Sequence, residues 1–202
     1  TTVYNYDALG NLKGIVKSNG ETVSILYDSL GRKTWMRDPQ MGEWRYEYDA
    51  NGNLTKQIDG KNQTIIMAYD RLNRPTSKTY PDGRSVVNQY DQGLNAVGRL
   101  SKVTDLSGTL ELFYDDLGRA TQKKRVIDGR TYITQSRYDL LGRETALVYP
   151  DGSEARNVYE GSFLKSVTDA GGAPIAALTY DLAAAGQPAT LTYGNGTVTT
   201  YA

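Results

Sequence analysis

Polar and apolar positions alternate in short runs along this chain, and the runs are broken at regular intervals by Asn, Asp and Gly. In Glu43-Trp44-Arg45-Tyr46-Glu47-Tyr48 the aromatic residues take every second position and the charged residues take the others. That is the period of a strand with two unlike faces. Thr22-Val23-Ser24-Ile25-Leu26-Tyr27 reads the same way, with Ile25 and Tyr27 on one face and Leu26 on the other. Apolar residues occur on both faces, so the pattern predicts strands without fixing which face turns inward.

The breaks are of two kinds. One is Tyr-Asp-x-x-Gly, as in Tyr27-Asp28-Ser29-Leu30-Gly31-Arg32 and Tyr138-Asp139-Leu140-Leu141-Gly142-Arg143. An Asp at the first corner of a turn can accept from the backbone two residues on, and a Gly three residues later tolerates positive φ. This is the chemistry of a type I turn closed by a Gly bulge, which suits a hairpin. Asn73 stands where Gly is expected, and Asn is the next residue able to take positive φ. Phe163 breaks the pattern, which predicts a distorted turn there. The other break falls near mid-unit: Asn19-Gly20, Asp59-Gly60, Asp82-Gly83, Asp128-Gly129, Asp151-Gly152 and Asn195-Gly196. These are two-residue hairpin signals. Asp38 to Gly42, Asp105 to Gly108 and Asp169 to Gly172 are looser versions. Each unit is therefore strand, turn, strand, turn.

The units repeat. Tyr6, Tyr27, Tyr48, Tyr69, Tyr90, Tyr114, Tyr138, Tyr159, Tyr180 and Tyr201 are separated by 21, 21, 21, 21, 24, 24, 21, 21 and 21 residues. Asp7, Asp28, Asp49, Asp70, Asp91, Asp115, Asp139 and Asp181 follow eight of them, and Gly10, Gly31, Gly52, Gly118 and Gly142 hold the turn glycine position. The expected organisation is a single array over 1–202 of about nine full units. In the unit from Tyr90, Gly98 lies eight residues on, so the extra residues fall in the first turn. In the unit from Tyr114 they lengthen the hairpin arms.

Two architectures fit a β repeat of this length, a parallel β-helix and an antiparallel meander. Turns that reverse the chain favour the meander. The expected fold is all-β, a row of antiparallel hairpins of about 21 residues. About twenty strands at ~4.8 Å spacing give a sheet on the order of 95 Å wide, which twist would curl or spiral. Thr1 to Tyr6 and Thr197 to Tyr201 read as single strands of further units, without a polar cap, so the chain is expected to be an excerpt of a longer protein.

Composition narrows the chemistry. There is no His and no Cys, which excludes a Ser-His-Asp triad, a Cys nucleophile and the usual zinc ligand sets. With 23 basic and 23 acidic residues the net charge is zero, which argues against nucleic-acid binding. No run reaches the ~18 apolar residues of a membrane helix. The turn Asp residues lack the denser Gly-Asp pattern of calcium-binding β-rolls. Asp115-Asp116 and similar carboxylates lie in turns, where nothing raises a pKa for acid catalysis. Asp59-Gly60-Lys61 and Gly194-Asn195-Gly196 lack phosphate-loop spacing. Asn53-Leu54-Thr55, Asn62-Gln63-Thr64 and Asn195-Gly196-Thr197 match the glycosylation pattern, which Asn- and Thr-rich turns produce by chance. No catalytic residue, cofactor site or metal site is expected. The repeated Tyr side chains are read as packing on neighbouring units, with hydroxyls bonded to adjacent backbone.

Copies such as Tyr6-Asp7-Ala8-Leu9-Gly10-Asn11-Leu12, Tyr48-Asp49-Ala50-Asn51-Gly52-Asn53-Leu54 and Tyr114-Asp115-Asp116-Leu117-Gly118-Arg119 resemble the YD-repeat, or Rhs-repeat, family over essentially the whole chain. The signature includes Arg32, Arg119 and Arg143 after the turn glycine. The resemblance implies a β-ribbon spiralling into a hollow shell. In bacterial Rhs polymorphic toxins and ABC-type toxin complexes such a shell encloses a toxic domain; in teneurins a similar shell belongs to a cell-surface adhesion protein. Bacterial members commonly end the shell with a self-cleaving Asp-Pro-x-Gly segment. Asp38-Pro39-Gln40-Met41-Gly42 is similar, but it has one residue too many and sits in a mid-unit turn, so it reads as a turn variant. The implied function is a structural, non-enzymatic part of an encapsulating shell in a secreted or cell-surface bacterial protein. Its expected partners are the enclosed toxin or effector, the rest of the shell and a delivery machine. The alternative is an adhesion or carbohydrate-binding module taking a glycan.

Overall fold

The computed structural model describes residues 1–181 and 186–201. Every helix or strand among them is a strand, nineteen in all. The first nine are β1 (Val3–Tyr6), β2 (Leu12–Val16), β3 (Thr22–Tyr27), β4 (Lys33–Asp38), β5 (Gly42–Tyr48), β6 (Leu54–Ile58), β7 (Thr64–Tyr69), β8 (Pro75–Thr79) and β9 (Ser85–Tyr90). The remaining ten are β10 (Leu100–Asp105), β11 (Gly108–Tyr114), β12 (Ala120–Ile127), β13 (Arg130–Tyr138), β14 (Glu144–Val148), β15 (Glu154–Glu160), β16 (Phe163–Asp169), β17 (Pro174–Asp181), β18 (Gln187–Tyr193) and β19 (Val198–Thr200). The chain divides into two compact units, Thr1–Gln89 with Val103–Leu106, and Tyr90–Lys102 with Ser107–Ala202.

In the first unit β1 through β8 each pair antiparallel with the next strand in the chain. In the second, β11 through β18 do the same. The meander is the architecture, as the reversing turns require.

Next to the repeated Tyr the register slips. The first unit shows this between Asn5 and Tyr6, Leu26 and Tyr27, Glu47 and Tyr48, and Ala68 and Tyr69. The second shows it at Tyr114, Tyr138, Tyr159 and Tyr180. Each slip is a β-bulge, and beyond those at Tyr6, Tyr27, Tyr48, Tyr69, Tyr114 and Tyr138 the turn is a type I turn with a left-handed fourth residue. Asp28 N–H donates to the Arg32 carbonyl at 2.9 Å and Gly31 N–H to the Asp28 carbonyl at 3.0 Å. Gly31 has φ 74°, and in the Tyr69 turn Asn73 takes that position with φ 61°.

The mid-unit turns differ from the two-residue form that their sequence signals. Of the Asn-Gly and Asp-Gly steps only Asp128-Gly129 forms one, with φ of 48° and 75° and Ile127 paired to Arg130. Around Gly20, Gly83, Gly152 and Gly196 the loop has three residues, and Gly alone carries positive φ. Tyr80 N–H donates to the Arg84 carbonyl at 2.8 Å and Gly83 N–H to the Tyr80 carbonyl at 3.0 Å, the same closure as in the Tyr-Asp turns. Pro81 and Pro150 occupy the second corner, where a φ fixed near −65° is already right. A type I turn followed by a left-handed residue suits right-handed strand twist as well as the two-residue turn does, and it tolerates ordinary φ at Asn or Asp. At Asp59 the left-handed seat moves on to Asn62, φ 60°. Gly60 is needed for a different reason: a Cβ there would overlap the Met41 carbonyl and lie 2.9 Å from the Gly42 Cα.

The two longer spacings follow the expected division. Residues between Tyr90 and Leu100 form one extended turn, while β12 and β13 carry the long arms. Asp38 to Gly42 is a turn, with Asp38 and Gly42 paired across its base and the Asp38 carboxylate accepting from Gln40 N–H at 2.7 Å.

Burial is thin. Among the described residues the buried apolar side chains are Val23, Ile25, Ala96 and Ala146. Val23 pairs across the sheet with Ile15, and Ile25 with Met36, which in turn pairs with Trp44. Trp44 and Tyr46 stack on the same face, ring centroids 6.5 Å apart. Leu26, on the other face of β3, is 58% exposed. A chain with so little buried apolar area needs its cohesion from elsewhere.

Candidate functional site

The cohesion comes from one cluster of side chains repeated at the Tyr-Asp turns. In six of them the Asp carboxylate divides its two oxygens. Asp28 Oδ1 accepts from the backbone N–H of Leu30 at 3.0 Å and of Arg32 at 2.9 Å, while Oδ2 accepts from Arg32 Nε at 2.7 Å. Asp70 with Arg74, Asp115 with Arg119 and Asp139 with Arg143 repeat this arrangement. Asp7 with Asn11 and Asp49 with Asn53 use an amide in place of the guanidinium, each at 2.9 Å. Three donors on one carboxylate fasten the turn from inside, and they explain why Arg or Asn recurs four residues after Asp.

These bonds favour the charged carboxylate. The side-chain amides of Asn11 and Asn53 hold Asp7 and Asp49 below the ordinary Asp range, and the Arg32 backbone N–H leads in doing so for Asp28. For Asp70, Asp115 and Asp139 partial desolvation pulls upward, and the N–H and guanidinium of the Arg four residues on outweigh it.

The same Arg side chains reach forward into the following repeat. Arg32 Nη1 donates to the Asp49 carbonyl at 3.2 Å, and Arg119 Nη1 to the Asp139 carbonyl at 2.9 Å. Arg143 Nη1 donates to the Gly161 carbonyl. Each guanidinium also lies over the next Tyr ring: Arg32 over Tyr48 and Arg119 over Tyr138 at 4.8 Å, and Arg143 over Tyr159 at 4.4 Å. Asn53 reaches forward too, donating to Asn73 Oδ1 at 2.8 Å.

The Tyr hydroxyls complete the link by reaching back. Tyr27, Tyr48 and Tyr69 donate to the carbonyls of Leu12, Lys33 and Leu54 at 3.0, 2.8 and 3.0 Å. Tyr114, Tyr138, Tyr159 and Tyr180 donate to Leu100, Ala120, Glu144 and Leu164 at 2.7, 2.9, 3.0 and 2.9 Å. Apart from Leu100, which follows the long turn, each acceptor lies beside the bulge of the preceding hairpin, where the ladder is interrupted and a carbonyl is left to be satisfied. Burial raises the Tyr48 and Tyr114 hydroxyl pKa values, which keeps them as donors. Within each unit, neighbouring hairpins are thus bound by backbone ladder, forward Arg and backward Tyr.

Variant repeats keep the links by other means. Asp91 opens the long turn, and its N–H still donates to the Arg99 carbonyl at 3.0 Å. Arg99 then does what Arg32 does, donating to the Gly118 carbonyl at 3.2 Å and lying over Tyr114. After Tyr159 the expected distortion is instead a regular two-residue turn, Gly161-Ser162, with Glu160 paired to Phe163. Phe163 occupies the Arg place: its ring lies 4.8 Å from that of Tyr180. A Cβ on Gly186 would come within 2.7 Å of that Phe ring. The interior of the turn after Asp181 lies outside the described residues. Tyr6 is 57% exposed, and Tyr201 N–H donates to the Ala189 carbonyl at 3.0 Å.

Sequence reasoning located the Tyr and Asp positions but gave no role to the residue four after Asp. Its signal was present, since a donor side chain of Arg or Asn recurs there. The substitution of Phe163 for Arg leaves no such signal.

Among the described residues no three of His, Cys, Asp and Glu cluster as metal ligands. No helix is long and apolar enough to cross a membrane. An open concavity of about 460 Å³ lies between the Phe163–Tyr180 ring pair and the Glu160–Lys165 ion pair; another of about 220 Å³ lies between Arg84 and Asp105.

A turn clasp tied forward and backward to its neighbours defines a β-hairpin repeat protein. The RHS repeat family model matches residues 27–64, 48–85 and 114–154, which places those repeats in the YD/Rhs-repeat family. Comparison with curated proteins gives no match. Among solved structures the chain is similar over its whole length to TcdB2-TccC3-TEV and TcdB2-TccC3-Cdc42, each at 18% identity, with TM-scores of 0.81 and 0.82. It is similar at 18% identity and TM-score 0.66 to the Photorhabdus luminescens Tc holotoxin pore with mutated TccC3. The chain covers 12% of each of the first two and 13% of the third. At that identity the likeness establishes the fold.

Proposed function

We propose that this chain is a structural, non-enzymatic segment of an encapsulating β-shell. On this reading it is one continuous repeat array, part of an exported bacterial protein, and it encloses a toxin polypeptide before delivery. The observation that carries the reading is the clasp. The Asp, Arg and Tyr side chains that recur in the repeats are occupied in joining hairpins to one another. The fold shared with Tc toxin components supports the same reading. Its action is steric, since a wall of fully bonded strands excludes proteases and other partners from what lies behind it. A glycan-binding role would use open Tyr faces, and Arg32, Arg119 and Arg143 already cover the rings of Tyr48, Tyr138 and Tyr159.

Protease treatment of the whole protein that carries this segment tests the proposal. An enclosed polypeptide is expected to survive in the folded protein and to be cut rapidly once the protein is unfolded in urea. Loosening the wall with Arg119→Ala and Arg143→Ala together should speed that cutting without unfolding the rest. Equal cleavage of the polypeptide in folded and unfolded protein would refute enclosure.

A further inference from the structure

Seven Asx-Gly steps occur in this chain: Asn19-Gly20, Asn51-Gly52, Asp59-Gly60, Asp82-Gly83, Asp128-Gly129, Asp151-Gly152 and Asn195-Gly196. Such steps can rearrange without an enzyme when the Gly nitrogen attacks the side-chain carbonyl carbon of the preceding residue. The attack needs a Gly N–H that is not already donating and a side chain free to swing over it. The turns of this protein deny one or both conditions nearly everywhere. The N–H groups of Gly20, Gly52, Gly83, Gly152 and Gly196 donate to the carbonyls of Lys17, Asp49, Tyr80, Tyr149 and Tyr193 at 2.8 to 3.1 Å. Most of the side chains are held as well. Asn19 and Asn195 accept from the N–H groups of Glu21 and Thr197. Asp82 is paired with Arg84, and Asp151 accepts from Ser153. Asp59 accepts from the N–H groups of Lys61 and Gln63, and Gly60 is wedged against Met41.

Asp128-Gly129 meets neither restraint. It is the one two-residue turn among these steps, its flanking pair Ile127 and Arg130 carrying the hairpin bonds. Among the described residues the Gly129 N–H donates to nothing and the Asp128 carboxylate accepts from nothing. Both residues are exposed at the tip of the hairpin between β12 and β13.

We propose that Asp128-Gly129 is a site of spontaneous isoaspartate formation, and that the bulged turns protect the other Asx-Gly steps. The Gly129 nitrogen bonds to Cγ of the protonated Asp128 carboxyl, losing its proton, and one water leaves to give a five-membered succinimide. One water then opens the ring. Opening at the main-chain carbonyl carbon leaves the chain running through Cβ and Cγ, with the former main-chain carbonyl now a free carboxylate. Mass and charge return to their starting values, and the backbone is longer by one carbon. A two-residue turn has no room for that carbon, so the Ile127–Arg130 end of the hairpin opens while the arms near Ala120 and Tyr138 stay paired. The new carboxylate is the group that isoaspartyl carboxyl methyltransferases recognise.

The test is timed incubation of the folded chain at mildly acidic pH, followed by peptide mapping with electron-transfer fragmentation and by methyltransferase labelling. Isoaspartate is expected at Asp128 several times faster than at Asp82 or Asp151. In the urea-unfolded chain the three Asp-Gly steps should react at similar rates. Comparable rates at the three sites in the folded chain would overturn the proposal. So would an Asp128 lead that persists unchanged after unfolding, because sequence and not the turn would then be its cause.

Discussion

Removing a single hydroxyl from the interior of the array measures the link between hairpins. Tyr48→Phe deletes the bond to the Lys33 carbonyl, and Tyr114→Phe the bond to the Leu100 carbonyl, while both rings keep their packing under Arg32 and Arg99. Apolar burial is therefore unchanged, and the cost is that of one neutral hydrogen bond with its acceptor left behind. A net bond of this kind contributes about 1 kcal/mol, and a stranded carbonyl adds to the loss to the extent that water cannot reach it. Both Tyr residues are only half-buried, which keeps the expected cost near 1 kcal/mol each. With a urea slope of about 2 kcal/mol per molar, the midpoint should fall by about 0.5 M per substitution. The two bonds share no partner and lie in different units, so their effects should add. The assay is urea unfolding followed by Trp fluorescence and, separately, by far-ultraviolet circular dichroism, because the two Trp residues, Trp35 and Trp44, report the first unit alone. A change below about 0.3 kcal/mol at both sites would mean that the hydroxyl bonds are not what joins the hairpins.

Other outcomes follow from the turns. Asp7, Asp28, Asp49, Asp70, Asp115 and Asp139 have folded pKa values below the unfolded value of about 3.9. Their contribution is therefore complete above that value and is lost as pH falls through the folded values, so the urea midpoint should drop below about pH 4 and change little between pH 5 and 8. Gly60→Ala forces a Cβ into the Met41 carbonyl, backbone against backbone, and should cost about 1–3 kcal/mol in a thermal melt. Gly20→Ala, which meets open space but needs φ 85°, isolates the conformational cost alone. Asn73→Ala should cost about 1–2 kcal/mol for the left-handed seat, and Asn73→Gly distinctly less; equal losses would place the cost in the Asn53 bond instead.

Strand positions, repeat length and turn locations were legible because each rests on local chemistry: alternation for the strands, and Asp, Asn and Gly for the turns. The form of the mid-unit turns was not. Asn-Gly and Asp-Gly fit both a two-residue turn and the third and fourth places of a bulged type I turn, and strand pairing decides between them. The left-handed seat at Asn62, displaced from Gly60, was hidden because two candidate residues lie two positions apart. The clasp was half legible. Asp announces its own backbone bonds, whereas the forward reach of Arg32 and the backward reach of Tyr48 depend on residues a full repeat away. Phe163 shows the limit clearly, since a change that looks like damage to a turn preserves the contact on Tyr180 through a different side chain.

Because every clasp looks only to the hairpins on either side of it, whole repeats can be gained or lost without disturbing any other part. Removing Tyr27 through Glu47 would join Leu26 to Tyr48, and Tyr48 would find before it the kind of hairpin that Tyr27 had. Length in such a ribbon is therefore a quantised variable, changed in steps of one repeat, and evolution can adjust the span of the sheet without redesigning a single joint.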